Sequence, residues 1–199
     1  EKTVSAMLMM ITVAGVATVP LITKLAGRFD KKDVFMGVIG LCGLAMMSTR
    51  IIGVDSFSML VAVCLLYAVA NACYWQLMPS MIYDVCEVEE LISGEKHSGA
   101  VISLQSLSES ISIAVGLQVL GIILAMAGFD SEAATQSQLA MTWVENAFVV
   151  IPGAAMVCVA LIVRKFPMSK ELFNRVKEAL ERRRAGEEID IDEFIEIFE

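Results

Sequence analysis

The chain alternates between long apolar stretches and short charged segments. Each apolar stretch has about twenty residues, which is long enough to cross a hydrocarbon core of roughly 30 Å as an α-helix. A membrane β-strand would instead alternate polar and apolar residues over about ten positions, and the sequence does not show that pattern. The pattern therefore predicts an all-α, polytopic membrane protein with about five transmembrane helices. The spans are expected at residues 4–22, 34–52, 57–78, 100–127 and 142–163.

Composition supports this prediction. Hydrophobic residues make up 57% of the 199 residues and charged residues 19%, whereas a soluble domain usually carries about 25% charged residues. The formal net charge of -8 comes mainly from one inter-span loop and the end of the chain, so it indicates no particular partner. The five cysteines are scattered, without a C-x-x-C motif or a histidine at ligand spacing. No metal site is predicted.

Lysine and arginine residues indicate the orientation. Most of them fall in 24–33, in 79–99 and after residue 163. Since basic residues near span ends are enriched on the cytoplasmic side, these segments and the carboxyl terminus are expected to be cytoplasmic, in the cell membrane. The first span then enters from outside. An odd number of spans, in a chain that starts without methionine, leads us to expect that an amino-terminal portion is missing.

The sequence divides into a membrane part, 1–163, and a cytoplasmic amphipathic tail, 164–199. A helix is predicted at 169–184, with Ser169 as its N-cap and Gly186 as its end. Either it lies at the membrane interface or it is a solvated, partly frayed helix. Its apolar face consists of Leu172, Val176, Ala179 and Leu180.

No enzymatic site is predicted. His97 is the only histidine and lies among charged residues of an inter-span loop, where a surface or ion-pairing role fits better than catalysis. Phosphate-binding and dinucleotide-binding motifs are absent, so we expect no cofactor, and no nucleic acid partner is expected either.

Polar residues inside the fourth span are notable, because such groups usually face a cavity or another helix. One sector of this span is predicted to be polar and the opposite one apolar. The alternative is that its serines only pack helices together. The polar sector contains Gln105, Ser108, Glu109, Ser112 and Gly116, and the apolar one contains Leu104, Leu107, Ile111 and Val115.

The third span has an aromatic and amide face that suits a carbohydrate, since rings stack on sugars and amides bond hydroxyls. Aromatic residues near a span end are also ordinary interfacial anchors, so both interpretations of Trp75 stay open. In the second span, Gly37, Gly40 and Gly43 are expected to allow close helix approach. The third-span face contains Tyr67, Asn71, Tyr74, Trp75 and Met78.

One segment resembles a known family. Residues 81–99 read MIYDVCEVEELISGEKHSG, with acidic residues at Asp84 and Glu87 followed by Gly94 and basic residues. This is similar to the loop between helices ten and eleven of the glycoside–pentoside–hexuronide:cation symporters, the melibiose-carrier family. Further similar segments are 24–33, 128–129 and 168–184.

The resemblance implies a sugar:cation symporter working by alternating access, of which the chain covers helices eight to twelve of a major-facilitator fold. The partners it implies are a small sugar, the bilayer and the missing amino-terminal half, which would bind most of the coupling cation, Na⁺ or H⁺. It places Trp75, Gln105 and Ser106 at the sugar, with Tyr74 and Asn71 as further candidates. A major-facilitator exporter or drug carrier, and a non-transporting scaffold, are the alternatives.

Two further hypotheses concern ions. Where relatives often carry a lysine in helix eleven, this chain has Ser110 next to Glu109, so we expect this pair to take part in cation coupling. The alternative is that neighbouring serines hold Glu109 for helix packing alone. Charges near span ends are expected to form a cytoplasmic gate that pairs in one state and parts in another, unless they are merely solvated. The gate residues are Asp84, Glu87 and Glu90 on the acidic side and Arg28, Lys31 and Lys32 on the basic side.

Overall fold

The computed structural model describes residues 2–52, 57–130, 132–133, 135–191 and 193–195. Within these ranges the regular secondary structure is entirely α-helical. The helices are α1 (Lys2–Arg28), α2 (Lys31–Ile52), α3 (Phe57–Ser93), α4 (Ser98–Met126), α5 (Gln138–Phe148), α6 (Val150–Val163) and α7 (Lys170–Arg184).

Among the described residues, five helical segments are long and apolar enough to cross a membrane. The fifth of them joins α5 and α6, which are separated only by Val149. The prediction of an all-α polytopic membrane protein is therefore confirmed for the described residues.

Helix α3 is longer than its predicted span. It has 37 residues, about 55 Å of helix, and it contains Pro79. The segment 79–99, predicted as a loop, is thus helical as far as Ser93. Burial explains this difference, because Met81, Val88 and Leu91 continue the packed face of the helix beyond the proline. The acidic residues of this segment consequently have fixed positions on a helix.

Helices α2 and α6 pack closely through glycines. A Cβ atom added at Gly43 would lie 2.7 Å from the carbonyl oxygen of Gly153 and 2.9 Å from Cβ of Met156. One added at Gly40 would lie 3.3 Å from Cβ of Ala160, whereas one at Gly37 would have nothing within 4 Å. Close approach is therefore a property of Gly40 and Gly43, but not of Gly37.

The tail helix α7 packs against the end of α3. Its predicted N-cap is confirmed, since the Leu172 backbone N–H donates to Ser169 Oγ at 3.1 Å, and Gly186 has a positive φ of 85° after the helix. The apolar face of α7 is covered by protein and not by lipid. Buried in this contact are Val88, Leu91, Met168, Leu172, Val176, Ala179, Leu180 and Phe194.

Helix α4 has few contacts with the other described helices. None of its residues from Ser98 to Met126 is buried. Its main neighbours are α3 and α5. As a result, α3 and α4 leave an open space between them.

Candidate functional site

The space between α3 and α4 is a cleft of about 680 Å³, which we call the α3–α4 cleft. Its volume lies in the range of roughly 300–1,000 Å³ that is typical of small-molecule sites. Apolar side chains make up much of its wall, with a smaller number of polar groups among them. Its lining residues are Asn71, Tyr74, Trp75, Met78, Ile82, Val101, Leu104, Gln105, Ser108, Glu109, Ser112 and Ile113.

Helix α3 contributes an aromatic and amide wall. Asn71 and Trp75 are four residues apart, as are Tyr74 and Met78, so the four side chains share a helix face. The rings of Tyr74 and Trp75 are T-shaped, with centroids 5.6 Å apart and an interplanar angle of 86°. This contact helps to orient Trp75, which remains 56% exposed in the cleft. A flat ligand surface can therefore reach its ring.

Helix α4 contributes the polar wall. Gln105 and Glu109 are four residues apart, as are Ser108 and Ser112, and all four side chains line the cleft. The hydroxyl groups of Ser108 and Ser112 donate to backbone carbonyl oxygens one turn earlier, at 2.8 and 2.7 Å. Their oxygen lone pairs remain able to accept hydrogen bonds from a ligand. Four of the five residues in the polar sector predicted for this span thus line the cleft, and Gly116 does not.

Two predicted residues are outside the cleft. Ser106 and Ser110 do not line it, and their hydroxyl groups donate to the carbonyl oxygens of Ile102 and Ser106, at 3.1 and 2.9 Å. On an ideal helix, with about 100° between successive residues, both lie well away from the centre of the polar sector that contains Gln105. In contrast, Leu104 was assigned to the opposite sector but lines the edge of the cleft.

The apolar margin of the cleft was not predicted from the sequence. Ile82, Val101 and Ile113 lie one helical turn beyond predicted residues, so continuing the three- and four-residue spacing would have found them. Among the described residues there is no group of three or more histidine, cysteine or acidic side chains that could hold a metal ion.

The charged end of α3 forms a second cluster. Lys31 Nζ donates to both carboxylate oxygens of Asp84 at 2.7 Å, and it lies 5.1 Å from the ring centroid of Phe173 in α7. The Asp84 side chain is only 7% exposed. This pair therefore ties the starts of α2 and α7 to α3.

The other proposed gate residues are arranged differently. Glu90 pairs with Arg184 at 2.6 Å, while Lys32 donates to the carbonyl oxygen of Phe166 at 3.1 Å. Glu87 has a buried carboxylate oxygen that accepts no hydrogen bond from the described residues. Within the same residues, Arg28 forms no ion pair with the three acidic residues. Of the six proposed gate residues, all of them in the described part of the chain, only Lys31 and Asp84 form an ion pair with each other.

The turn between α3 and α4 contains His97, as predicted, in an ion-pairing position. Its Nδ1 lies 2.8 Å from Glu89 Oε1 and its Nε2 lies 3.3 Å from Glu95 Oε2. The hydrogen bond with Glu89, together with the negative charge of that residue and of Glu95, raises the pKa of His97 above its usual value. Positive charge is thus favoured at the start of α4.

Comparison with known proteins shows similarity to a family and to a relative. A family model described as MFS/sugar transport protein matches residues 1–170. A protein of Escherichia coli (strain K12), named as a candidate glycoside/cation symporter, YagG, is 23% identical over 165 residues. That match covers 83% of this chain and 36% of the relative. The chain therefore spans about a third of the length of the curated relative that it matches.

Proposed function

The chain belongs to the MFS/sugar transport protein family, and on that premise we propose that it holds a glycoside or related sugar in the α3–α4 cleft of a sugar:cation symporter. The observation that carries this proposal is the cleft itself. An exposed tryptophan ring on α3 and a row of polar side chains on α4 line the same space. The name of the Escherichia coli relative points to the same substrate class.

The cleft suits a sugar chemically. The Trp75 ring can stack on the apolar face of a pyranose, and the amides of Asn71 and Gln105 can each donate to and accept from hydroxyl groups. The carboxylate of Glu109 and the serine oxygens add acceptors. Such a set fixes the orientation of a ligand that is rich in hydroxyl groups.

Counterflow in proteoliposomes tests the transport proposal. Vesicles containing the purified full-length gene product and loaded with one unlabelled sugar should accumulate the same labelled sugar transiently. Lipophilic drugs provide the comparison, since a drug carrier of the same fold would show counterflow with them and not with sugars. Counterflow of drugs alone would refute the proposal, and absence of any counterflow would favour a scaffold.

We also propose that Glu109 contributes to cation coupling. It lies inside a span and lines the cleft, so a cation held by its carboxylate would be next to the bound sugar. Sugar-driven proton movement and the pH profile of uptake should both change in Glu109→Gln. Ser110 lies outside the cleft, and Ser110→Ala is the matched control on the same helix. Unchanged proton movement in Glu109→Gln would leave Glu109 with a structural role only.

The orientation proposed for the carrier places the α3–α4 turn and the tail in the cytoplasm, at the cell membrane. Basic residues near both segments support this orientation. Single cysteines introduced as Glu95→Cys and Ala185→Cys should resist an impermeant thiol reagent in intact cells and react after permeabilisation. Rapid labelling of either cysteine from outside would reverse the orientation.

Lys31 and Asp84 are the proposed core of the cytoplasmic gate. Their contact would hold α2, α3 and α7 together in one state of the carrier and loosen in another. In Asp84→Asn, cysteines on the cytoplasmic side of the cleft should then be labelled faster. If both labelling and transport keep their normal rates, the pair has no gating role.

A further inference from the structure

A separate cavity lies where the tail helix α7 meets the turn between α1 and α2. It has a volume of about 200 Å³ and shares no lining residue with the α3–α4 cleft. We call it the tail pocket. Phe29, Lys32, Lys170 and Asn174 are among its lining residues. Because Phe29 lies between two candidate spans, which end at Arg28 and begin at Lys31, the pocket lies close to one membrane surface.

Two lysines supply positive charge to the tail pocket. Lys32 Nζ donates to the Phe166 carbonyl oxygen at 3.1 Å, and Lys170 Nζ donates to that of Gly27 at 2.6 Å. Within the described residues, neither ammonium group forms an ion pair. The nearby Asp30 carboxylate accepts a hydrogen bond from the backbone N–H of Lys170 at 2.9 Å. Each ammonium group has further N–H donors available, because a lysine has three.

Aromatic side chains form much of the remaining wall. The rings of Phe29, Phe166 and Phe173 all line the tail pocket. Access from outside is open, since Phe29 is 59% exposed and both Lys170 and Asn174 are exposed. A ligand that fits this wall combines an anionic group with an apolar part.

The volume of the tail pocket indicates how much of a ligand it holds. Small-molecule sites usually have about 300–1,000 Å³, and this pocket, at about 200 Å³, is smaller. It therefore fits one group of a larger molecule whose remainder lies outside. At a membrane surface, a larger molecule with an anionic group and an apolar part is a phospholipid. Basic pockets between membrane helices on the cytoplasmic side bind such headgroups.

We propose that the tail pocket binds the headgroup of an anionic phospholipid. The phosphate group lies between Lys32 and Lys170, and the glycerol and the first part of an acyl chain lie on the ring of Phe29. The walls of the pocket come from α1, α2, α3 and α7, so the bound lipid links these helices. It stabilises the docking of the tail helix on the membrane part of the chain.

Lipid binding to the purified full-length gene product in detergent tests this proposal. Phosphatidylglycerol should raise the Tm in a saturable way. Phosphatidylcholine with the same acyl chains should raise it much less, because the two lysines repel its trimethylammonium group. Glycerol 1-phosphate provides the phosphate without acyl chains and should have no effect. Equal shifts with both lipids would contradict an anionic site, and an equal shift with glycerol phosphate would assign the pocket to a soluble phosphate instead of a lipid.

Single charge removals locate the headgroup. Lys32→Gln and Lys170→Gln should each weaken phosphatidylglycerol binding about fivefold, because each removes the attraction of one lysine near the membrane surface. Lys177→Gln is the matched control, since it removes the same charge from an exposed position of α7 outside the pocket. It should bind the lipid within about twofold of the unaltered protein. Equal weakening in all three variants would show a general effect of charge and refute the site, and so would unchanged binding in the first two.

Protection of an introduced cysteine gives a test that removes none of these charges. Phosphatidylglycerol should slow alkylation of Asn174→Cys, which lies in the pocket wall, more than phosphatidylcholine does. Glu181→Cys is the control, two turns further along α7 at an exposed position outside the pocket, and its alkylation should be the same with either lipid. Mass spectrometry of the tail measures both sites, since residues 164–199 contain no native cysteine. Equal alkylation of Asn174→Cys with the two lipids would overturn the proposal.

Discussion

The ion pair of Lys31 and Asp84 makes an asymmetric prediction about stability. The two side chains are in bidentate contact at 2.7 Å, but Lys31 is 32% exposed and Asp84 only 7%. Lys31→Met would leave a carboxylate in a nearly dry environment without its counter-charge. Asp84→Asn would leave an ammonium group that water can still reach, and the new amide keeps an acceptor for it. The lysine substitution should therefore be the more harmful of the two.

Known energies of ion pairs determine how much stability each substitution is expected to cost. Removing one partner of a buried pair costs about 3–5 kcal/mol, and partial exposure of Lys31 places Lys31→Met near the lower end, at about 3 kcal/mol. For Asp84→Asn we expect about 1 kcal/mol, as for an exposed pair. The double variant Lys31→Met/Asp84→Leu should recover part of the loss, because no buried charge is left without a partner.

Thermal unfolding of the purified protein in detergent measures these differences. For domains of about 150–250 residues, 1 kcal/mol corresponds to a Tm shift of about 2–4 °C, so Lys31→Met should lower the Tm by about 6–12 °C and Asp84→Asn by about 2–4 °C. Glu187→Gln is the control, since it breaks an ion pair with Arg182 in which both side chains are more than half exposed. It should change the Tm by less than about 4 °C. Equal shifts for the two main variants, or the reverse order, would refute the argument from burial.

Two further predictions concern a helix contact and a titration. Gly43→Ala should destabilise the protein by about 1–3 kcal/mol, because its Cβ would collide with Gly153. Gly37→Ala, in the same helix but with nothing within 4 Å of the added Cβ, should be neutral or stabilising by up to about 1 kcal/mol, and equal effects of the two variants on the Tm would contradict the packing. The pKa of His97 is raised in the folded state by its contact with Glu89. The stability that this contact contributes is therefore fully present below about pH 6.5, the usual pKa of histidine, and it is lost as the pH rises through the raised pKa of the folded state. His97→Gln should remove that part of the pH dependence of the Tm, and an unchanged profile would show that the contact is not formed.

Much of the fold follows from hydropathy, because apolar length alone determines which segments can cross a membrane. The residues at which the helices end were less predictable than the presence of the helices. Pro79 and the acidic residues after it suggested a loop, yet burial of Leu91 against α7 keeps the helix intact to Ser93. The sequence of α7 alone also did not show what its apolar face packs against. A helix with such a face can lie on lipid or on protein, and only the three-dimensional position of α3 decides between them.

The cleft could be predicted in part. Helical spacing correctly placed Asn71, Tyr74 and Trp75 on one face and Gln105 with Glu109 on another, and the structure brings both faces to one space. The spacing gave no information about which helices are neighbours. For the same reason, the space between α1 and α3 that Thr12, Ala72 and Gln76 help to line was not foreseen, since α2 separates these two helices in the sequence.

Ligand binding by the α3–α4 cleft is the central claim, and one comparison tests it most directly. Equilibrium binding of a transported sugar to the full-length gene product should be measured for Trp75→Ala, Gln105→Ala and, as the control outside the cleft, Ser106→Ala. Loss of one binding partner in the cleft should weaken the affinity about ten- to hundred-fold for the first two variants, and the control should bind normally. If Trp75→Ala and Gln105→Ala bind the sugar as tightly as the unaltered protein does, the cleft is not the sugar site.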